Sequence, residues 1–523
     1  MRSFPRSLIW LALAFVVVGS YLPVAAMVIG AARDGGGFLA EAVSVLSQPR
    51  RTALLLRSVA IAGGTAAASG VLGLPFALLV SRSDLPAAGI FRGAMLLPLL
   101  IPSYVFALGW QRVFDLAPAW APDVAAPWGV VAVLTLRFFP LVVLLLAAGL
   151  DRVERGLEDA GRLHRGAPWV LLRITLPLTW PRIAAAALVV FNLALMNYTV
   201  PSLLRVPTFP VEIFAAFSGL FDVGGAVALS LPLIAIGALS VVLARLAIGA
   251  RPFVVTPARD RPDPLVRLGR ARPAAWAAAL AAVALTAVVP VVAVASLLAG
   301  PGDLLAAYAL GMRQVWRTLA LAAAAATVLS IHGLVAGCLM ARARSILADL
   351  FFLLPLALPP TVLGIGLIRL WNRPPVAALM DSAAIVVLAY CAQFVPFVAA
   401  TAASAVASVP PELEEAALVS GMGWWSRARV ILVPLVWRGL AAGWILAFAL
   451  CLDEVGASIL VHPPDGETLA VRIYNLSHYD AAEMVGGLCL VVLAIVAVPV
   501  LGYALLARRR HPKDPGIDHA RAA

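Results

Sequence analysis

A chain of 523 residues with 62% hydrophobic side chains, 13% charged residues and a mean hydropathy of +0.97 is not a soluble globule, in which about 25% of residues are charged. The net charge of +12 would suit nucleic acid if it were gathered in one patch, but it is spread over many short segments between apolar runs. Runs of 18 or more apolar residues mark membrane-spanning helices, and this chain has many.

The first run, "LIWLALAFVVVGSYLPVAAMVIG" (8–30), follows Arg2 and Arg6. It is longer than the 7–15 residues of a signal-peptide core, which favours an uncleaved first span. Eleven further spans follow near 58–81, 93–111, 128–150, 183–204, 225–249, 274–298, 318–341, 348–370, 384–408, 439–460 and 485–507. With both termini placed in the cytoplasm, the cytoplasmic side holds 27 Lys/Arg and the outer side 11, with Arg137 inside a span making up the 39. That bias follows the positive-inside rule. It assigns the basic excess to orientation, so membrane lipid is the expected surrounding and nucleic acid is not an expected partner. Cys338, Cys391, Cys451 and Cys489 all fall in apolar spans without zinc-site spacing, so they read as buried free thiols and no metal site is expected.

The chain repeats itself. "EDAGRLHRGAPWVLLRITLP" (158–177) and "EAALVSGMGWWSRARVILVP" (415–434) share an acidic start, an Ile sixteen residues on and a Pro nineteen residues on, at an offset of 257. The same offset aligns "LLPLLIPSYVFALGW" (96–110) with "LLPLALPPTVLGIGL" (353–367), so that Pro98, Pro102 and Gly109 match Pro355, Pro359 and Gly366. At 256, "RFFP" (137–140) matches "QFVP" (393–396), and at 260 the text after Arg57 matches that after Arg317. Internal duplication explains all of these. The predicted fold class is an all-α membrane protein of about twelve transmembrane helices, in two parallel six-helix repeats. These cover 1–250 and 274–523, joined by a cytoplasmic Pro- and Arg-rich linker at 251–273.

Both copies of the repeated loop fall on the cytoplasmic side, between the fourth and fifth spans of their half. In the second copy, Pro410 and Pro411 open a short helix, Glu residues occupy its first turn and Gly421 closes it, the normal helix punctuation. Ala416 and Ala417 leave a low-relief face for a partner, and the Trp/Arg mixture after Gly423 suits the bilayer interface.

This pattern resembles the EAA loop of bacterial ABC importer permeases, EAA-x3-G-x9-I-x-LP. The second copy matches at Glu415, Ala416, Ala417, Gly421, Ile431 and Pro434, with Val433 in place of Leu. The first matches at Glu158, Ala160, Ile174, Leu176 and Pro177, while Asp159 replaces Ala and His164 replaces Gly, with Gly166 available for the turn. A single chain with two such halves is similar to the iron(III)/thiamine-type permeases, and to the fold of type I ABC importers. The resemblance implies that each loop is a coupling helix docking on a cytoplasmic ABC ATPase subunit, two copies in all. It also implies a periplasmic or lipid-anchored solute-binding protein as the source of substrate. The chain has no GxxxxGK[ST] motif, its one lysine being Lys513. ATP and Mg are therefore expected on the partner ATPase, no cofactor is expected here, and the chain is not expected to be an enzyme.

Ionisable groups within spans are default functional candidates. Arg137 in the fourth span faces Gln393 in the tenth at the repeat offset. Asp453 and Glu454 stand in the eleventh span, with Asn197 and Tyr198 at the matching place in the fifth. These residues are candidates for the translocation path, with mutual pairing as the alternative role. His332 reads as a packed core residue. The two Pro pairs are expected to kink or break their spans, and the polar outer stretch 462–480 to help receive the binding protein. Ferric iron is the substrate most commonly implied, with thiamine, aminoethylphosphonate and polyamines as alternatives. A different class, a proton-coupled secondary transporter with 6+6 repeats, would use Asp453 and Glu454 as proton carriers. It lacks the major-facilitator loop GxxxDRxGRR in "SRSDLPAAGIFR".

Overall fold

Proline decides where this helical chain bends. A computed structural model describes residues 4–34, 47–118, 122–249, 264–343, 345–479 and 481–509. Residues 251–263 of the linker and Lys513 therefore lie outside the described residues. The first half contains α1 (Arg6–Arg33), α2 (Pro49–Arg82), α3 (Ala88–Leu100), α4 (Ser103–Asp115) and α5 (Pro127–Leu150). It continues with α6 (Arg155–His164), α7 (Ala167–Leu195), α8 (Thr199–Leu203), α9 (Phe209–Gly219) and α10 (Val223–Ile248). The second half runs through α11 (Gly269–Ala295), α12 (Pro301–Ala343), α13 (Ile346–Ala357), α14 (Pro360–Trp371) and α15 (Ala384–Ala407). Then come α16 (Pro411–Val419), α17 (Trp424–Asp453), α18 (Ser458–Val461), α19 (Leu469–Leu476) and α20 (Ala482–Arg509). Each element's counterpart thus carries a number ten higher.

The chain is a multi-pass, all-helical membrane protein. Among the described residues, ten helices are long and apolar enough to cross a bilayer, or twelve if each bent pair is one span. The spans expected near 93–111 and 348–370 are not straight. α3 and α4 meet at 96°, and α13 and α14 at 95°. Ile101 and Leu358 precede Pro102 and Pro359 and adopt extended backbone, because a following proline disfavours the helical conformation. The spans expected near 183–204 and 439–460 are also interrupted, after Leu195 and Asp453. Asp453 is therefore the last residue of a helix, and Glu454 stands in the break beyond it.

Small residues set the packing. A side chain on Gly73 would meet Val142 of α5, and one on Gly333 would meet Val398 of α15. α2 and α5 approach closely there, as do α12 and α15, the mode of association that small residues permit in lipid. The first helix of each half lies against the other half: α1 packs on α12, α14 and α15, and α11 packs on α3, α4 and α5. Gly109 of α4 touches the Pro290 backbone of α11, and Gly366 of α14 touches the Pro23 backbone of α1. The halves are therefore interlocked.

The stretch 462–479 is more deeply packed than a polar loop. Its helix α19 is inserted into the protein, with Leu469, Ala470, Val471, Ile473 and Tyr474 buried. The Leu469 N–H donates to Thr318 Oγ1 at 2.8 Å, just as the Phe209 N–H of α9 donates to Ser58 Oγ at 2.8 Å. The four cysteines are buried free thiols. His332 is buried, stacked on Phe15 with centroids 4.4 Å apart and 3.1 Å from the Ala12 carbonyl oxygen.

Candidate functional site

On one face of the bundle, α6 and α16 each stand between two spans as short surface helices. In the first, Glu158 is buried and its carboxylate accepts from Arg82 Nε at 3.1 Å and Thr175 Oγ1 at 2.8 Å. Arg82 Nη2 also donates to the Leu150 carbonyl at 2.6 Å. In the second, Arg342 Nη2 donates to Glu414 at 2.5 Å and to the Val409 carbonyl at 3.1 Å. Arg82 and Arg342 are equivalent ends of α2 and α12, so the structure pairs Glu158 with Glu414.

This shifts the register read from sequence by one residue within the loop. Asp159 and Ala160, both exposed, correspond to exposed Glu415 and Ala416, and buried Gly161 to buried Ala417. Exposed His164 corresponds to Ser420, so it does not stand in place of Gly421. Gly421 has φ +82°, and it closes α16 with Met422 N–H bonded to Ala417 O and Gly421 N–H to Leu418 O, the left-handed cap that glycine adopts most readily. The first loop is one residue shorter and has no counterpart of it. Gly166 does not supply that turn. It begins α7 at φ −67°, ψ 164°, as Gly423 begins α17 at φ −65°, ψ 163°. Beyond that point the 257 offset holds. Ile174 and Ile431 lie in equivalent π-helical turns, followed by Pro177 and Pro434. Ile174 packs against Gly161, which seats α6 on the start of α7.

The tips of both helices carry a bare apolar side chain: Leu163 is 87% exposed and Val419 90%. They occupy the same position once Glu158 is matched to Glu414.

The segments leading into the first helix of each half touch the repeated loop of the opposite half. Phe4 packs edge-on against Trp424 at 5.1 Å. Arg162 Nη2 donates to Pro264 O at 2.7 Å, and Val266 forms a parallel bridge with Ser83. Asp84 completes this clasp, accepting from the Leu268 N–H at 2.8 Å and from Arg272 at 2.5 Å. The Leu268 N–H first, and then Arg272, hold the Asp84 carboxyl below its ordinary value. A depressed folded pKa means that the clasp is intact at neutral pH and is lost as pH falls through that lowered value. The protection of the Leu268 amide, its intrinsic exchange rate divided by the observed rate at the same pH, should fall several-fold on acidification, and Asp84→Asn should show the low protection already at neutral pH. Unchanged protection in Asp84→Asn would rule the clasp out.

The intramembrane candidates divide into two groups. Asn197 and Glu454 are local caps. The Val200 N–H donates to Asn197 Oδ1 at 2.9 Å, and the Ala457 and Ser458 N–H groups donate to Glu454 at 2.6 and 2.9 Å. They start α8 and α18 in the same way. The structure does not bring Glu454 and Asn197 together. Arg137, by contrast, reaches across the halves to Asp453 at 2.7 Å, some 15 Å along α5 from its start at the 1.5 Å rise of a helix. Gln393, its counterpart, is partly buried and its Oε1 has no hydrogen-bond partner. Tyr198 bonds across the halves to Tyr474, the hydroxyls 2.8 Å apart, and Ser202 Oγ is 2.6 Å from the same hydroxyl. Arg245 of α10 and Asp349 of α13 form a further buried pair between the halves, Nε to Oδ2 2.7 Å.

Sequence reading missed Arg82, Ser103, Asn192 and Tyr474. Arg82 had a signal, since Arg342 repeats it at offset 260. Asn192, whose amide donates to the Leu356 carbonyl of the other half at 2.8 Å, had none.

The bundle is polytopic and presents an equivalent pair of short surface helices, α6 and α16. Residues 330–511 match the family described as "Binding-protein-dependent transport system inner membrane component". The Fe(3+)-transport system permease protein FbpB 2 of Haemophilus influenzae is 28% identical over 230 residues, 43% of this chain and 44% of that one. The spermidine/putrescine transport system permease protein PotC of Escherichia coli is 31% identical over 121 residues, 23% and 46% of the two chains. The putative 2-aminoethylphosphonate transport system permease protein PhnV of Salmonella paratyphi A is 24% identical over 161 residues, 31% and 60%. The chain spans about half the length of the curated relatives it matches.

Proposed function

We propose that this chain is the membrane-spanning subunit of an ATP-driven importer, with α6 and α16 as its two coupling helices. The equivalent pair of surface helices, each tied to the end of a long span by an Arg–Glu contact, carries this reading. A force applied to Leu163 or Val419 passes through Glu158 or Glu414 into α2 or α12. On this reading the α6/α16 face is cytoplasmic, as are both termini, and the bilayer is a bacterial inner membrane. Two copies of an ABC ATPase cover the coupling helices and bind ATP and Mg. A solute-binding protein delivers substrate to the opposite face.

Ferric iron is the substrate we favour, on the name of the Haemophilus influenzae relative. Polyamine, aminoethylphosphonate and thiamine remain alternatives with the same machinery. The proton-coupled reading loses support, because Asp453 is engaged with Arg137 and Glu454 with its own backbone.

Reconstitution with a candidate ABC ATPase and a candidate solute-binding protein from the same organism tests the proposal. Uptake should require ATP. Replacing Gly421 by valine or Val419 by aspartate should reduce ATPase retention and uptake at least about tenfold, the loss of one well-placed contact. ATP-independent uptake would refute it.

A further inference from the structure

The two halves are equivalent in their helices, yet they meet differently on the two sides of the axis relating them. On one side, Asp453 at the end of α17 accepts from the Ser103 N–H and Ser103 Oγ, both at 2.5 Å, and pairs with Arg137 Nη2 at 2.7 Å. Arg137 Nη1 donates in turn to the Ile101 carbonyl, and Tyr104 Oη donates to the Leu452 carbonyl at 3.1 Å. Four groups of the first half, at the α3–α4 bend and on α5, thus hold the end of one second-half helix. The repeat offset turns Arg137, Ser103, Tyr104 and Asp453 into Gln393, Pro360, Thr361 and Met196 on the other side. None of these is charged, Pro360 has no N–H to donate, and neither Gln393 Oε1 nor Thr361 Oγ1 has a partner. The same frame occurs twice, and at these equivalent positions only one copy carries an ionic contact.

We propose that Arg137, Asp453 and Ser103 form a one-sided latch that keeps the two halves closed near the middle of the bilayer. The path opens by parting α17 from the α3–α4 bend on this side, while the Gln393/Met196 contact holds no ion pair of its own and the Arg245–Asp349 pair joins α10 to α13 separately. The physical basis is the low-dielectric setting. The buried Arg137 guanidinium and the partly buried Asp453 carboxylate satisfy each other when closed, and each needs solvent when apart. Separation is therefore favourable only once water enters the path, so the contact has two discrete arrangements. That the latch lies on a transport path rests on the permease reading; that it holds the halves together does not.

The test needs neither ATPase nor substrate. The native cysteines are replaced by alanine, and single cysteines at the exposed positions 163 and 419 carry spin labels in the full chain in lipid nanodiscs. The parent should give one interhelical distance by electron–electron resonance. Arg137→Gln and Asp453→Asn each leave a buried charge unpaired, and should shift the populations towards a second distance by at least about 100-fold. Their combination should shift it no further than either alone. Ser103→Ala, which keeps both charges and removes one donor, should shift it only about 2- to 10-fold. Asp453→Glu checks that the fold tolerates change at this position, and Gln393→Ala should retain the parental distance. A parental distribution in both charge variants, or an equal shift from Gln393→Ala, would overturn the proposal. Because the readout is structural, a failure of ATP-driven uptake would leave this result standing, and the converse also holds.

Discussion

Arg82→Ala is expected to unseat α6 and abolish ATPase retention on the first half, whereas Arg342→Ala should leave α16 largely in place. The sequences of the two pairs look alike, but their burial differs. The Arg82 and Glu158 side chains are 1% and 6% exposed, against 23% and 27% for Arg342 and Glu414. Removing Arg82 strands a buried carboxylate and costs about 3–5 kcal/mol, while a solvated pair contributes about 0–1 kcal/mol. Hydrogen exchange of the α6 amides should therefore rise at least about 100-fold in Arg82→Ala, with less than about a tenfold rise in α16 for Arg342→Ala. Replacing both Arg82 and Glu158 by leucine should restore most of the α6 protection, since removing both partners of a buried pair is often neutral. Equal effects at the two loops would mean that burial is not what anchors them.

The second large effect is expected at the crossing points of the interlocked halves. A Cβ on Gly109 would lie 2.5 Å from Pro290 O, and one on Gly366 would lie 2.7 Å from the Pro23 backbone. Backbone cannot rotate away, so the helices must separate. Alanine at either position should cost about 1–3 kcal/mol through overpacking, and valine more. Opposing this, alanine gains about 1 kcal/mol of helix propensity over glycine. Gly63 of α2, with nothing within 4 Å of its Cβ position, isolates that gain. Gly63→Ala should raise the unfolding midpoint in detergent, while Gly109→Val and Gly366→Val should each lower it by several degrees. The valine variants should also loosen α11 and α1 respectively from the opposite half. Equal, harmless behaviour at all three glycines would show that the crossings are not close contacts.

Much of this protein was legible before any coordinates. Apolar runs must become helices in lipid, because no water is present to satisfy the backbone. The helical class and the spans therefore followed from composition and length alone. The repeat was visible because matched prolines and glycines recur at nearly constant spacing. The proline pairs announced breaks, though not bends of 96° and 95°, since a proline specifies lost hydrogen bonds and leaves the new direction to packing.

Tertiary structure decided the rest. A constant offset matched Glu158 to Glu415, whereas the arginines that end α2 and α12 matched it to Glu414. A one-residue difference in the loop is hidden in text and exposed by which carboxylate reaches a fixed guanidinium. Asp453 and Glu454 are neighbours in sequence with equal formal charge, yet one bridges the halves and the other caps its own helix. That division depends on the break after Asp453, which turns successive side chains toward different partners. Hydropathy is a local property and was sufficient to place the helices in the bilayer. Which charges meet across it is a long-range property, set by two halves that exchange their first helices.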